Sequence, residues 1–168
     1  MPLDHAVPAD TAVPRDAHFA VLKERLFQTR QLSLKLAEPL SDEDQVVQAM
    51  DDASPAKWHL AHTTWFFERF VLRQFAADYA VFDDTFEYCF NSYYEAVGPR
   101  HPRPSRGLLT RPGASEVRTY RAHVDAALAA LFSGAGEALP EDALKLVELG
   151  IHHEQQHQEL LLTDILSL

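Results

Sequence analysis

The chain has 168 residues, a length that suits one domain with one hydrophobic core, and its 25 acidic against 15 basic residues give a formal net charge of −10. That charge repels phosphate backbones and anionic bilayers, so no nucleic acid and no membrane is expected as a partner. The single cysteine, Cys89, excludes an internal disulfide and a thiolate metal site, which points to a reducing, cytoplasmic compartment.

Residues 1–16 (MPLDHAVPADTAVPRD) lack both a basic start and an apolar core of signal-peptide length and read as a flexible arm. Phe19, Leu22, Leu26, Leu32 and Leu36 then recur at helical spacing up to Glu38, where Pro39 ends the run. Ser41-Asp42-Glu43-Asp44 looks like a helix start, but the segment to Met50 has room for only a turn or two. At Ser54-Pro55 the signal is stronger: serine caps free amide groups, and proline at the first helical position lacks one. A second helix is predicted from there through Trp58, Leu60, Trp65, Phe66, Phe70 and Leu72 to about Ala77.

The next stretch, 78–113, is aromatic in its first half and rich in proline and arginine in its second. Helix is predicted only over about Thr85–Val97, and the remainder reads as a long ordered loop or surface strap, of a length that usually carries function. A third long helix runs from Ser115 through Val117, Tyr120, Val124, Leu128 and Leu131 to the Ser133-Gly134 breaker. Pro140 opens the last, which is uninterrupted from Leu144 to Leu168. Nowhere does an apolar stretch reach bilayer length, the most continuous being Ala126–Phe132. Four long amphipathic helices predict an all-α four-helix bundle over residues 17–168, with any metal site built from side chains facing the bundle core.

The last helix contains His-Glu-Gln-Gln-His at 153–157. Histidines four residues apart project from one face about a turn apart, so both imidazoles can reach one ion. Leu146, Leu149, His153, His157 and Leu160 follow each other at helical steps, which places the two histidines at leucine-type positions of the buried face. The second helix offers the third ligand. His62 lies one turn from both Trp58 and Trp65, and His59, on a neighbouring line, is its rival on spacing alone. His152 points roughly 100° away from His153, toward the rim.

The run also spells the H-E-x-x-H of zinc proteases. Those enzymes take a third ligand further along the chain, after a glycine turn or from a glutamate. No glycine follows His157 here, and Glu159 is too close on the same helix. Proteolysis is therefore set aside, and Glu154 reads as a group supporting the ligands or facing solvent rather than as a catalytic base.

Three segments, SPAKWHLAHTTWFFE (54–68), FNSYYEAVGPRHPRPSRGLLTRP (90–112) and HHEQQHQELLLTDI (152–165), together closely resemble the N-terminal, DinB-like domain of the ergothioneine biosynthesis protein EgtB, the hercynine oxygenase or sulfoxide synthase. The resemblance implies a non-haem Fe(II) enzyme that joins a thiol (cysteine or γ-glutamylcysteine) to the imidazole C2 of hercynine using O₂. It implies His62, His153 and His157 as the iron ligands, which decides between His62 and His59. It further implies that Gln156 contacts the substrate imidazole, that Arg103 and Arg106 hold the thiol substrate's carboxylate, and that Tyr93 and Tyr94 deliver a proton or electron near the iron. In that family a C-terminal domain with a formylglycine-generating-enzyme-like fold normally follows in the same chain, whereas this sequence stops at Leu168; a fragment and a single-domain relative both fit. The alternatives are a stand-alone DinB-type metal-dependent thiol transferase and a non-catalytic helical interaction module.

Overall fold

The predicted helices form in the predicted order, and the computed structural model, which describes residues 15–92, 98–134 and 139–168, contains no strand among them. Helix α1 spans Arg15–Ala37 and so begins inside the segment predicted as an arm. Its first guanidinium donates to the Leu139 carbonyl at 2.5 Å, which ties the start of α1 to the turn before the last helix. The core line of α1 runs Leu22, Leu26, Arg30, Ser33 and Ala37, all buried, while Leu32, placed on that line by the sequence pattern, is 46 % exposed. Polar residues hold the inner face because buried charges on other helices meet them there.

The short segment after Pro39 forms one 3₁₀ turn, Asp44–Val46, as its length dictates. Its start is closed reciprocally: the Ser41 N–H donates to the Asp44 carboxylate at 2.9 Å and the Asp44 N–H to Ser41 Oγ at 3.1 Å. Helix α2 spans Ala56–Phe67, runs into a π-turn over Glu68–Leu72, and ends in a last turn, α3 (Arg73–Phe75). Ser54 does not cap it. The Ser54 N–H donates to Asp164 and its hydroxyl accepts from Arg106, while Pro55 occupies the cap position. Every residue of α2 is buried, polar ones included, so this helix passes through the middle of the molecule.

Of the predicted Thr85–Val97 helix, the described residues form α4 over Phe86–Phe90, which ends where Asn91 turns extended (ψ 141°), and residues 93–97 lie outside the described residues. The arginine-rich strap that follows contains a 3₁₀ segment, Arg103–Leu108. It is fastened to α2 by Lys57, whose buried ammonium donates to the carbonyls of Leu109 (2.5 Å), Thr110 (3.3 Å) and Pro112 (2.8 Å). Helices α5 (Ala114–Gly134) and α6 (Glu141–Leu166) complete the set. Helix α6 packs on α1 and α2, and α2 on α5. No helix among the described residues is long and apolar enough to cross a membrane.

The buried line of α6 is Ala143, Leu144, Val147, Gly150, Ile151, Glu154, Gln158 and Leu161. Leu149, predicted on the core face, is 54 % exposed, and His153 and His157 are half-buried on the flank that faces α2. Glu154 is therefore neither solvent-facing nor part of the histidine site: it is a core residue, 1 % exposed. Its carboxylate accepts from Arg30 at 3.1 Å, from Ser33 Oγ at 2.6 Å and from Arg121. Arg30 also pairs with Asp125, and the Arg121 guanidinium donates to the Arg30 carbonyl at 2.8 Å and to Thr64 Oγ1 at 3.2 Å. One ionic cluster thus joins all four long helices.

At Gly150 the backbone of α6 lies directly against aromatic rings of α2. A Cβ there would stand 2.5 Å from Phe67 Cε1 and 3.0 Å from Phe66 Cε1, and both rings are fully buried. Gly150→Ala is expected to cost about 1–3 kcal/mol, because a packed ring must move to admit one methyl group. A urea unfolding curve that matches the parent would refute this account of the glycine.

Candidate metal centre

Helix α2 delivers His62 and α6 delivers His153 and His157 to one point, where one ring nitrogen from each lies within 4.8 Å of the others. His62 Nε2 and His153 Nε2 are 3.1 Å apart. Two imidazole nitrogens each about 2.1 Å from one ion stand roughly 3.0–3.4 Å apart, so this pair is spaced as two ligands on neighbouring coordination positions. His62 is clamped as its position between two tryptophans predicts: its ring lies 4.6 Å from Trp58 and 5.7 Å from Trp65, within 18° of parallel to both. His62 Nδ1 donates to the Phe90 carbonyl at 2.5 Å, where α4 ends. A carbonyl only accepts, so the proton sits on Nδ1 and the lone pair of Nε2 faces His153.

All three rings are held neutral. Burial pushes His62 well below its ordinary pKa, with His153 adding to the shift, and burial pushes His153 down to about 4. His157 is lowered by burial and then by its neighbours His62, His59 and His153. The His62 Nε2 lone pair, facing a second ring nitrogen at 3.1 Å, requires a proton or a cation between the two. The donor set therefore fits a bound divalent transition metal, and three nitrogen ligands without a carboxylate or thiolate suit iron, zinc, nickel or copper better than magnesium or calcium.

His59 lies beside the three-histidine cluster rather than within it. Its Nδ1 is 2.9 Å from His157 Nδ1 and its Nε2 is 2.9 Å from Asp164 Oδ2. A cavity of about 280 Å³ opens in front of the three histidines, lined also by Ser54, Ser92, Arg103, Arg106, Gln156 and Leu160. The strap thus does reach the site. Arg106 is buried, donates to Ser54 Oγ (2.9 Å) and Ser92 Oγ (3.0 Å), and stacks on the Trp58 ring at 3.4 Å, so it also holds the tryptophan that clamps His62. Arg103 is half-exposed and donates to the Asp52 carbonyl. Gln156 stands exposed at the cavity mouth, and His152 is on the outer surface, as its angle predicts. Tyr93 and Tyr94 lie outside the described residues. A larger cavity of about 600 Å³, between the end of α1 and Arg118 of α5, contains no histidine.

Sequence reasoning did not single out Asp164, Ser92 or the buried arginines Arg30 and Arg121, and it gave Ser54 only a helix-capping role. Asp164 had a signal, since it stands two helical turns after His157 on the same face. Arg30 and Arg121 had a weaker one, falling on or beside lines of apolar residues. No curated protein matches this sequence. Residues 25–161 match the family model of the DinB superfamily, and the chain belongs to that superfamily.

Proposed function

We propose that the four long helices form a four-helix bundle whose core carries a three-histidine iron site, and that the chain is the iron-binding domain of a non-haem iron sulfoxide synthase. The reaction would join a cysteine-type thiol to the imidazole C2 of hercynine with O₂, in ergothioneine biosynthesis. The observation that carries the metal site is the 3.1 Å approach of His62 Nε2 to His153 Nε2 with His157 beside them. The substrate class is supported by the resemblance of the three sequence segments and by the arginine wall of the adjoining cavity.

Bound to three neutral histidines, Fe(II) would supply redox equivalents and open coordination positions for a thiolate and O₂. The chain's own residues would do the positioning. Arg103 and Arg106 put positive charge on one wall, suited to a substrate carboxylate. Gln156 at the mouth offers a carboxamide that can hydrogen-bond an imidazole, and Leu160 gives the wall an apolar face. Tyr93 and Tyr94 enter the proposal as proton or electron donors on the resemblance alone. A C-terminal domain would complete the cleft and order both substrates, since positioning two reactants accounts for much of such a rate enhancement.

The test is metal content followed by turnover. Purified chain reconstituted anaerobically with Fe(II) is expected to hold about one equivalent and His157→Ala far less; equal content in both would sink the metal site. Supplying thiol, hercynine and O₂ then separates the synthase from a DinB-type thiol transferase, which the family match accommodates equally, because a transferase consumes no O₂. A chain that holds no metal, and whose stability is indifferent to chelator, would instead be an interaction module.

A further inference from the structure

We infer that Asp164 and His59 form a hydrogen-bond relay that decides which nitrogen of His157 carries its proton and aims the other at the metal. The inference rests on the metal reading of the site and names two positioning residues that this reading does not require. Asp164 Oδ2 lies 2.9 Å from His59 Nε2, and a carboxylate oxygen can only accept, so His59 Nε2 carries the proton. The neutral ring then has its lone pair on Nδ1. That lone pair faces His157 Nδ1 at 2.9 Å, so His157 must be the donor there. Its proton is on Nδ1, and Nε2 is left bare for a metal.

Asp164 is itself held, because the same oxygen accepts the Ser54 N–H at 2.8 Å, just before α2 begins. The relay therefore runs from the start of α2 through the end of α6, back to α2 at His59, and onto the ligand. His62 is fixed in the equivalent sense by the Phe90 carbonyl. For His153 the arrangement differs: its Nδ1 is buried without a hydrogen-bond partner among the described residues, and its ring is steadied by Phe66 at 4.8 Å. Two ligands are thus set by hydrogen bonds and the third by packing. A carboxylate behind a ligating imidazole also raises the basicity of that ligand, here through a second ring.

Three variants separate the roles. In His59→Gln the carboxamide oxygen can accept from His157 and the amide nitrogen can donate to Asp164, so both functions survive in an uncharged group. His59→Leu supplies neither, and Asp164→Asn keeps an acceptor but removes the charge. Long-range ¹H–¹⁵N NMR of the metal-free chain reads the tautomer directly. His157 is expected to carry its proton on Nδ1 in the parent and in His59→Gln, and to become a tautomer mixture in His59→Leu. Zn(II) affinity is expected to fall 10- to 100-fold in His59→Leu, less in Asp164→Asn, and least in His59→Gln, with far-UV circular dichroism unchanged. A proton on Nε2 of His157 in the parent would overturn the relay, as would a His59→Leu chain that keeps both tautomer and affinity. Should His59→Leu fail to fold, His59→Asn, one methylene too short to span the gap, carries the same comparison. If the parent binds no Zn(II), the metal reading falls while the NMR arm still decides the relay.

Discussion

Glu154→Leu is expected to destabilise the chain by about 3–5 kcal/mol, a large share of the roughly 5–15 kcal/mol that holds a domain of this size folded. The carboxylate neutralises Arg121 and part of the charge of Arg30, and each of these three side chains is 1 % exposed. Without it Arg121 keeps only neutral acceptors, and a guanidinium cannot discard its charge as a buried lysine can. Urea unfolding followed by circular dichroism measures the loss. Adding Arg121→Met to Glu154→Leu is expected to recover much of it, because an apolar pair replaces an unbalanced charge. A single variant within 1 kcal/mol of the parent would show that the cluster is better solvated than its burial indicates.

The same carboxylate predicts an acid dependence. Burial pushes the Glu154 carboxyl up, but Arg121 and Arg30 outweigh that and hold it below its ordinary value. A depressed carboxyl contributes stability that is present above its unfolded-state pKa and is lost as pH falls through the folded one. The gap in stability between parent and Glu154→Leu should therefore be full near neutrality and narrow below the ordinary carboxylate range.

Metal removal is the second large effect. On the proposed reading the folded chain binds the ion and the unfolded chain does not, so free metal at a thousand times the dissociation constant adds about 4 kcal/mol. For a chain of this length that corresponds to a rise in Tm of about 8–16 °C, abolished by chelator. His62→Ala should abolish the rise as well. It removes the ligand whose proton is fixed by Phe90, and it empties the slot between two tryptophans, so its Tm without metal is also expected to fall. Equal midpoints with metal and with chelator in the parent would overturn the metal site, whatever happens in the variant.

The sequence located His62, His153 and His157 because each signal is contained in one helix: an i, i+4 pair, and a histidine one turn from two tryptophans. By spacing it favoured His62 but left His59 as a rival, because neighbouring lines of a helix differ by a rotation that only packing sets. Leu149 and Glu154 show the same limit. Lines through Leu149 and through Glu154 both satisfy helical periodicity, and hydrophobicity favours the first; the structure buries the second because two arginines on α1 and α5 are waiting to pair with it. An apolar pattern reports transfer from water, and a buried ion cluster is invisible to it until the partners are brought together.

From the sequence alone came the all-helical class, the order and approximate ends of the four long helices, and the residues of the three-histidine cluster. Periodicity, proline and glycine positions and i, i+4 spacing are local properties, fixed by the geometry of a single helix. The tertiary structure decided what depends on helices meeting: that Glu154 serves the core, that Ser54 receives Arg106 instead of capping α2, and that His59 stands behind His157 with Asp164 behind it. Those roles rest on helix rotation and depth to within a few tenths of an ångström, which no pattern along one chain segment encodes.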